Sequence, residues 1–262
     1  MIPKTIHYCW FGGNPKPEVI EKCIATWKHY CPDWEIKEWN ESNYDVTAHP
    51  YTKEAYESKK WAFVSDLARL EIVYHNGGVY MDTDVELIGG LEHLLGYDAF
   101  YFFESDVNVN SGQGFGSEAG HPSLRAMIEI YEDLHFLKKG RPDLTPCPAK
   151  NTQALQKKYP QFKRNGQVQI FEGVGILPLS YYSAHAIHHM SGTWGQGPLK
   201  NRVFRDTKIK RVLRAPTRIE FVEKHLGKQF GKIYIFFVYD VLELGPLYYA
   251  KRIVRKFFGK SE

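Results

Sequence analysis

The stretch WAFVSDLARLEIVYHNGGVYMDTDV, Trp61 to Val85, limits the fold more than any other part of the chain. Phe63, Leu67, Leu70 and Tyr74 recur at i, i+4, i+7 and i+11, the apolar stripe of a helix with one buried face. Gly77-Gly78 ends that helix, because only glycine takes the left-handed conformations of a tight helix exit without strain. Val79-Tyr80 then starts a short buried strand, and Asp82 and Asp84 follow it directly. Unpaired carboxylates are costly to bury. The pair is therefore either solvated in a turn or neutralised by a cation.

The flanking sequence supplies the rest of an α/β sheet. KTIHYCWF reads as a strand ending at Gly12-Gly13. A helix opened by Pro17 follows, with Val19, Cys23, Ile24 and Trp27 on one side, and then the alternating strand WEIKEW. This β-α-β opening predicts a parallel sheet with crossover helices. AFYFFE, Ala99 to Glu104, reads as a strand buried on both faces. PSLRAMIEIYEDLHFLKK reads as an amphipathic helix from Pro122, VQIFEG and GILPLSYY as short strands and turns, and the last forty residues as aromatic, basic helix. A chain of 262 residues suits one large α/β domain, with or without an appendage.

Charge is unevenly distributed. The net charge is +4, yet residues 195–262 hold 16 Lys/Arg against 6 Asp/Glu. Such a segment is either a solvated surface or the footprint of an anionic partner. Its most apolar run, IYIFFVYDVLELGPLYYA, is broken by Asp240, Glu243, Gly245 and Pro246 and makes a poor spanning helix. The interleaving of bulky apolar residues with Lys251, Arg252, Arg255, Lys256 and Lys260 suits the surface of an anionic membrane better than a nucleic-acid groove. The four cysteines show no CxxC spacing and read as reduced thiols. No apolar leader follows Met1.

Four short constellations carry chemistry. Asp82-Thr83-Asp84 can grip a hard divalent ion through oxygen and leave positions for phosphate oxygens. In SDLAR, Asp66 and Arg69 stand three apart on one helix face. They form either an ordinary ion pair, worth about 0.3–0.5 kcal/mol if exposed, or contacts to sugar hydroxyls and phosphate. AIHHMSGTW offers His188 and His189, adjacent and so divergent, either of which can complete a metal shell as neutral imidazole. In HYCWFGG, Trp10 closes a strand, where its indole can either stack on a nucleobase or pack in the core.

IPKTIHYCWFGG, WAFVSDLARLEIVYHNGGVYMDTDV and AIHHMSGTW, in that order, resemble the glycosyltransferases with a DXD sugar-binding region, of the family 32 type. These include capsular-polysaccharide, mannosyl- and galactosyltransferases. The resemblance covers roughly residues 1–195 and implies a GT-A, Rossmann-like catalytic domain there; residues 196–262 lie outside it and read, from their own pattern, as a mainly helical, membrane-associating segment. It implies Mn2+ or Mg2+ on the diphosphate of a UDP- or GDP-sugar. Asp84 would be the direct metal ligand, with Asp82 contacting ribose or sugar and the metal. Asp66 and Arg69 would bind the donor sugar with Tyr80 packed nearby, Trp10 would lie by the base, and Trp194 belongs to the terminal motif. His188 fits the late histidine better than His189. Asn108, Asn110 and SGQGFG are candidate acceptor-side lining. The Gly-Pro pair common in the family near PAKNTQAL is absent.

The activity this implies is a metal-dependent, retaining transfer of a hexose to a glycan or lipid-linked acceptor in bacterial surface polysaccharide synthesis. No carboxylate stands out as a nucleophile, which favours front-face attack by the acceptor hydroxyl. The expected location is the bacterial cytoplasm, peripheral on the inner face of the membrane, with no nucleic-acid partner. Two rivals remain. One is a haloacid-dehalogenase-like phosphatase, for which Glu86 is a poor fit two residues past Asp84; the other is a non-enzymatic membrane- or nucleic-acid-binding module.

Overall fold

The computed structural model describes residues 1–189 apart from Asp106. Trp194 and the basic segment 196–262 therefore lie outside the described residues. In chain order the elements are β1 (Thr5–Cys9), α1 (Glu18–Tyr30), β2 (Glu35–Trp39), α2 (Pro50–Glu57), α3 (Trp61–Asn76), β3 (Gly78–Tyr80), β4 (Val85–Leu87), β5 (Ala99–Phe102) and β6 (Phe115–Ser117). They continue with α4 (Pro122–Glu129), β7 (Leu137–Lys138), β8 (Arg141–Pro142), α5 (Cys147–Lys158), β9 (Gln169–Phe171), β10 (Val174–Leu177), α6 (Leu179–Ser183) and β11 (Ala186–His188). No described helix is long and apolar enough to cross a membrane.

The expected α/β class is the observed one, but the sheet is mixed. Seven strands lie in the order β2-β1-β3-β6-β5-β10-β9. β1 runs parallel to β2 and β3, and β10 is parallel to β5. β6 is antiparallel to both of its neighbours, β3 and β5, and β9 is antiparallel to β10. β6 is only FGS, Phe115 to Ser117, at the end of the glycine-rich SGQGFG run, and is too short to show a strand periodicity; Gly116 is needed because a Cβ there would run into the Phe100 ring. β4 leaves the main sheet and pairs with β11 alone.

Side-chain alternation along the strands divides the core in two. Tyr80, Tyr101, Phe115 and Ile176 face a layer made with α2 through α5, including Tyr51, Leu67, Leu124 and Leu155. Val79, Phe100, Phe102 and Leu177 face Trp27 of α1, Val85 and Leu87 of β4 and Tyr182 of α6. Each fully buried Leu or Phe contributes about 1.5–3 kcal/mol on folding. All four cysteines are free thiols and buried.

The helices depart from the sequence reading in several places. α4 stops at Glu129 instead of running on to Lys139. Glu54 of α2 draws the following chain across itself by accepting from His135 at 2.7 Å and from the Leu137 amide at 2.9 Å, and the Phe136 ring packs on Phe63 and Tyr51. Tertiary contacts override a continuing helical pattern there. α2 has little apolar periodicity, but His49 caps it, with Nδ1 accepting from the Tyr51 amide and Pro50 in the first turn.

α3 and its exit follow the sequence reading. Gly77 sits at φ +67°, and its amide donates to Val73 O at 2.8 Å. Gly78 sits at φ +102°, with space for a Cβ only 2.7 Å from Thr5 O and 2.8 Å from His7 Nε2. His7 is buried beneath this turn, with Nε2 bonded to Gly77 O at 2.9 Å and Nδ1 accepting from Trp39 Nε1 at 3.1 Å. Burial pushes its pKa down from 6.5 to about 4, so the ring is neutral and Nε2 carries the proton.

Replacing Gly78 by Ala should lower unfolding free energy by about 2 kcal/mol or more, from left-handed backbone strain plus the collision. Gly13→Ala shares a positive φ but meets open space, and should cost only about 1 kcal/mol in the same urea titration. The folded His7 pKa lies below that of the unfolded chain, so the unfolded state takes up the proton first and stability falls as pH drops from 6.5 towards 4. The contribution is on the order of 3 kcal/mol, and a His7→Gln variant should show a flatter urea-midpoint profile across that window.

Candidate functional site

The site is assembled at the carboxyl ends of the parallel strands, where open α/β sheets bind ligands. α3 delivers Asp66 and Arg69 to one side of it. Arg69 is 3% exposed, and its guanidinium is fully engaged. Nε donates to Ser65 O at 2.8 Å, Nη2 donates to Asp66 Oδ1 at 2.8 Å, Nη1 lies 3.5 Å from Asp82 Oδ1, and Cζ sits 5.1 Å from the Tyr80 ring centre. Tyr80, the last residue of β3, donates its hydroxyl to Asp82 Oδ1 at 2.9 Å. The Asp82 amide donates to Gly112 O at 2.9 Å. A Cβ on Gly112 would collide with Asp82 Oδ2 and approach Arg69 Nη1 to 2.7 Å, which explains a glycine there.

The other side comes from β4 and β11. Their antiparallel register sets His188 opposite Val85, one residue past Asp84. His188 Nε2 lies 3.2 Å from Asp84 Oδ1, and the His189 amide donates to Asp84 O at 3.0 Å. One donor atom from each of Asp82, Asp84 and His188 falls within 4.8 Å of the others. Two carboxylates and an imidazole suit a Mn2+- or Mg2+-type ion, with the rest of its shell open to phosphate oxygens or water. The site also fits a cation electrostatically. Burial lifts the Asp66 and Asp82 carboxyls above their ordinary range, with Arg69 opposing the rise. Burial would lower the His188 pKa, but Asp84 and Asp82 outweigh it and raise it.

The residues singled out in the sequence separate clearly. Asp66, Arg69, Tyr80, Asp82, Asp84 and His188 converge. His189 does not join Asp82, Asp84 and His188: its Nε2 faces Glu86 Oε2 at 3.1 Å, because neighbouring residues on a strand point to opposite sides. Trp10 follows β1 onto the same sheet edge, partly buried, with its indole N–H donating to Asn14 O at 2.7 Å. Asn110 reaches the site through its Oδ1, which accepts from the Gly112 amide at 2.7 Å. Asn108 is turned to Arg164 instead, at 2.8 Å.

Sequence reasoning missed the wall behind Asp66. Cys147 stands beside the Asp66 carboxylate, and Ser111 lies against the Cys147 thiol and accepts from Asn151 Nδ2 at 2.8 Å. Asn151 Oδ1 and the hydroxyls of Tyr51 and Tyr131 are buried with no hydrogen-bond partner among the described residues. CPAKNTQAL carries no pattern that marks it; the one signal was that it stands where the family's Gly-Pro is missing.

Residues 17–101 match the family model described as glycosyltransferase sugar-binding region containing DXD motif. Inositol phosphoceramide mannosyltransferase 3 of Schizosaccharomyces pombe is 30% identical over 135 residues, 48% of this chain and 36% of that protein. Mannosyl phosphorylinositol ceramide synthase SUR1 of Saccharomyces cerevisiae is 28% identical over 211 residues, 74% of this chain and 51% of that protein. The chain thus spans about a third to a half of the length of these relatives. Among solved structures, PaToxG Glycosyltransferase aligns with a TM-score of 0.49 at 17% identity, over 61% of this chain and 70% of that one. The resemblance read from the sequence is borne out: the chain carries the sugar-binding region of the DXD glycosyltransferases, set on an α/β sheet.

Arg69→Met should lower unfolding free energy by about 3–5 kcal/mol, because it leaves Asp66 and Asp82 without their shared cation. Urea unfolding at neutral pH measures it. The loss should shrink in the double variant with Asp66→Asn, which removes one of the stranded charges.

Proposed function

We propose that this chain, which carries a DXD sugar-binding region, is a glycosyltransferase that moves a hexose from a UDP- or GDP-sugar to a lipid-linked or glycan acceptor. The observation that carries this reading is the convergence of Asp82, Asp84 and His188 beside the buried Asp66–Arg69 pair. The family match over residues 17–101 favours transfer over the phosphatase alternative.

Asp82, Asp84 and His188 are the residues that would hold the divalent ion, which when bound stabilises the negative charge of a departing nucleoside diphosphate. Arg69 keeps the Asp82 carboxylate from rotating, with Tyr80 gripping the same oxygen. Asp66, its second oxygen not used by Arg69, is placed to accept from donor-sugar hydroxyls. Trp10, at the same sheet edge, offers an indole face to the base. Fixing these groups before the substrate arrives spares reorganisation when charge develops at the leaving oxygen. We read the transfer as retaining, with the acceptor hydroxyl attacking on the face the diphosphate leaves.

Two similar proteins are named for mannosyl transfer to inositol phosphoceramide, which supports a lipid-linked acceptor and puts mannose first among the sugars to test. A bacterial surface glycan is the second acceptor to try. The basic, aromatic residues beyond 195 support peripheral attachment to an anionic membrane, on the cytoplasmic inner face if the host is bacterial, rather than contact with nucleic acid.

A thermal-shift screen of GDP-mannose, UDP-glucose, UDP-galactose and UDP-N-acetyl sugars tests the reading. A ligand of the native state must raise the melting temperature. At least one nucleotide-sugar should do so only with Mn2+ or Mg2+ present, and Asp84→Asn should remove the metal-dependent part. No shift with any of them, or p-nitrophenyl phosphate turnover in their place, would contradict it.

A further inference from the structure

β1, β2, β3, β5 and β10 all point their carboxyl ends to one sheet edge. Glu104 stands two residues past the end of β5 at that edge. Phe100 and Phe102 turn onto the face shared with Val85, Leu87 and Tyr182, and the alternation of a strand carries Glu104 to the same face. His188 is also built on that face, and its charge acts on the Glu104 carboxylate.

Glu104 is held firmly. It opens a hairpin in which Phe103 and Val109 bridge and the Glu104 amide donates to Asn108 O at 2.9 Å. Asn110 Nδ2 donates to Glu104 Oε2 at 2.9 Å, and Asn110 Oδ1 accepts from the amide of Gly112, the residue packed on Asp82. A short hydrogen-bonded link therefore fixes Glu104 relative to the DXD aspartate.

Its surroundings lack one thing that the other carboxylates here have. Asp66 and Asp82 share Arg69, Asp84 faces His188, and Glu86 faces His189. Glu104 is half-buried and forms no ion pair among the described residues; its one described side-chain hydrogen bond is from the neutral amide of Asn110. A partly desolvated carboxylate of this kind calls for further donors. Burial pushes its pKa up, which makes it a better proton acceptor near neutral pH. In the reading above, Asp66 meets the donor sugar, and the ion held by Asp82, Asp84 and His188 meets the diphosphate. The remaining substrate group with a proton to donate is the acceptor's hydroxyl.

We propose that Glu104 receives the attacking hydroxyl of the acceptor and takes its proton. The acceptor oxygen bonds to the anomeric carbon, the bond from that carbon to the diphosphate oxygen breaks with its electron pair staying on the diphosphate, and the hydroxyl proton passes to Glu104. This rests on the glycosyltransferase reading above and adds the catalytic residue that the sequence did not show.

The test uses the full chain with Mn2+ and the nucleotide-sugar that gives the largest thermal shift. Nucleoside diphosphate release is followed with inositol phosphoceramide in detergent micelles and with water as acceptor, and donor affinity is measured by calorimetry. Glu104→Gln keeps an oxygen for the Asn110 amide, so the melting temperature and donor Kd should match the unaltered protein while kcat falls at least about 100-fold. Glu104→Asp, which keeps a carboxylate on a shorter arm, should retain part of the rate. Full activity in Glu104→Gln, a loss of donor affinity equal to the loss of rate, or a covalent glycosyl adduct on Glu104 would each overturn the assignment. If the unaltered protein neither binds nor turns over any nucleotide-sugar, the glycosyltransferase reading fails first, and this inference with it.

Discussion

One buried guanidinium holds this site together. Arg69 ties α3 to the loop after β3 by bonding Asp66 and lying against Asp82, while the Tyr80 ring covers its face. Buried ion pairs seldom stabilise a fold relative to apolar residues of similar size, since desolvation costs about as much as the attraction returns. The arrangement is better explained by what it presents. Asp66, Asp82 and Asp84 carry three negative charges against the one of Arg69. That acidic excess, which also raises the His188 pKa, is the complement of one divalent cation.

The second construction element is the small β4–β11 pair. Asp84 and His188 are about a hundred residues apart in sequence, and neither lies in the main sheet. Pairing β11 with β4 brings the imidazole over the carboxylate and turns the next histidine to Glu86. The Trp27 indole supports this from below by donating to Val85 O at 2.7 Å. The placement of His188 over Asp84 therefore depends on a few backbone bonds and a packed indole, while Asp82 is set by the end of β3 and by Arg69.

Local patterns that carry their own periodicity were legible in the sequence. The α3 stripe, the Gly77-Gly78 exit, the β1-α1-β2 opening and the Asp66–Arg69 pairing all follow from spacing and turn chemistry within about twenty residues. What was not legible depends on distant partners. The reversal at β6 is hidden because a three-residue strand after a glycine-rich loop has no alternation to read, and α4 ends early because Glu54, some eighty residues before, captures the chain. The resemblance favoured His188 over His189, but the physical reason, its register opposite Val85, needed the β4–β11 pairing. Glu104 looked like the polar end of an apolar strand until the topology put that end beside the DXD pair.

The central claim is that Asp82, Asp84 and His188 together bind one divalent cation that the diphosphate of a nucleotide-sugar completes. The most direct measurement is anomalous diffraction from crystals soaked with Mn2+ and a nucleoside diphosphate. The account predicts one strong peak within bonding distance of Asp82 or Asp84 and His188 Nε2, with phosphate oxygens filling its open positions. A nucleotide held elsewhere, or one bound at this edge without a metal peak among these three residues, would contradict it.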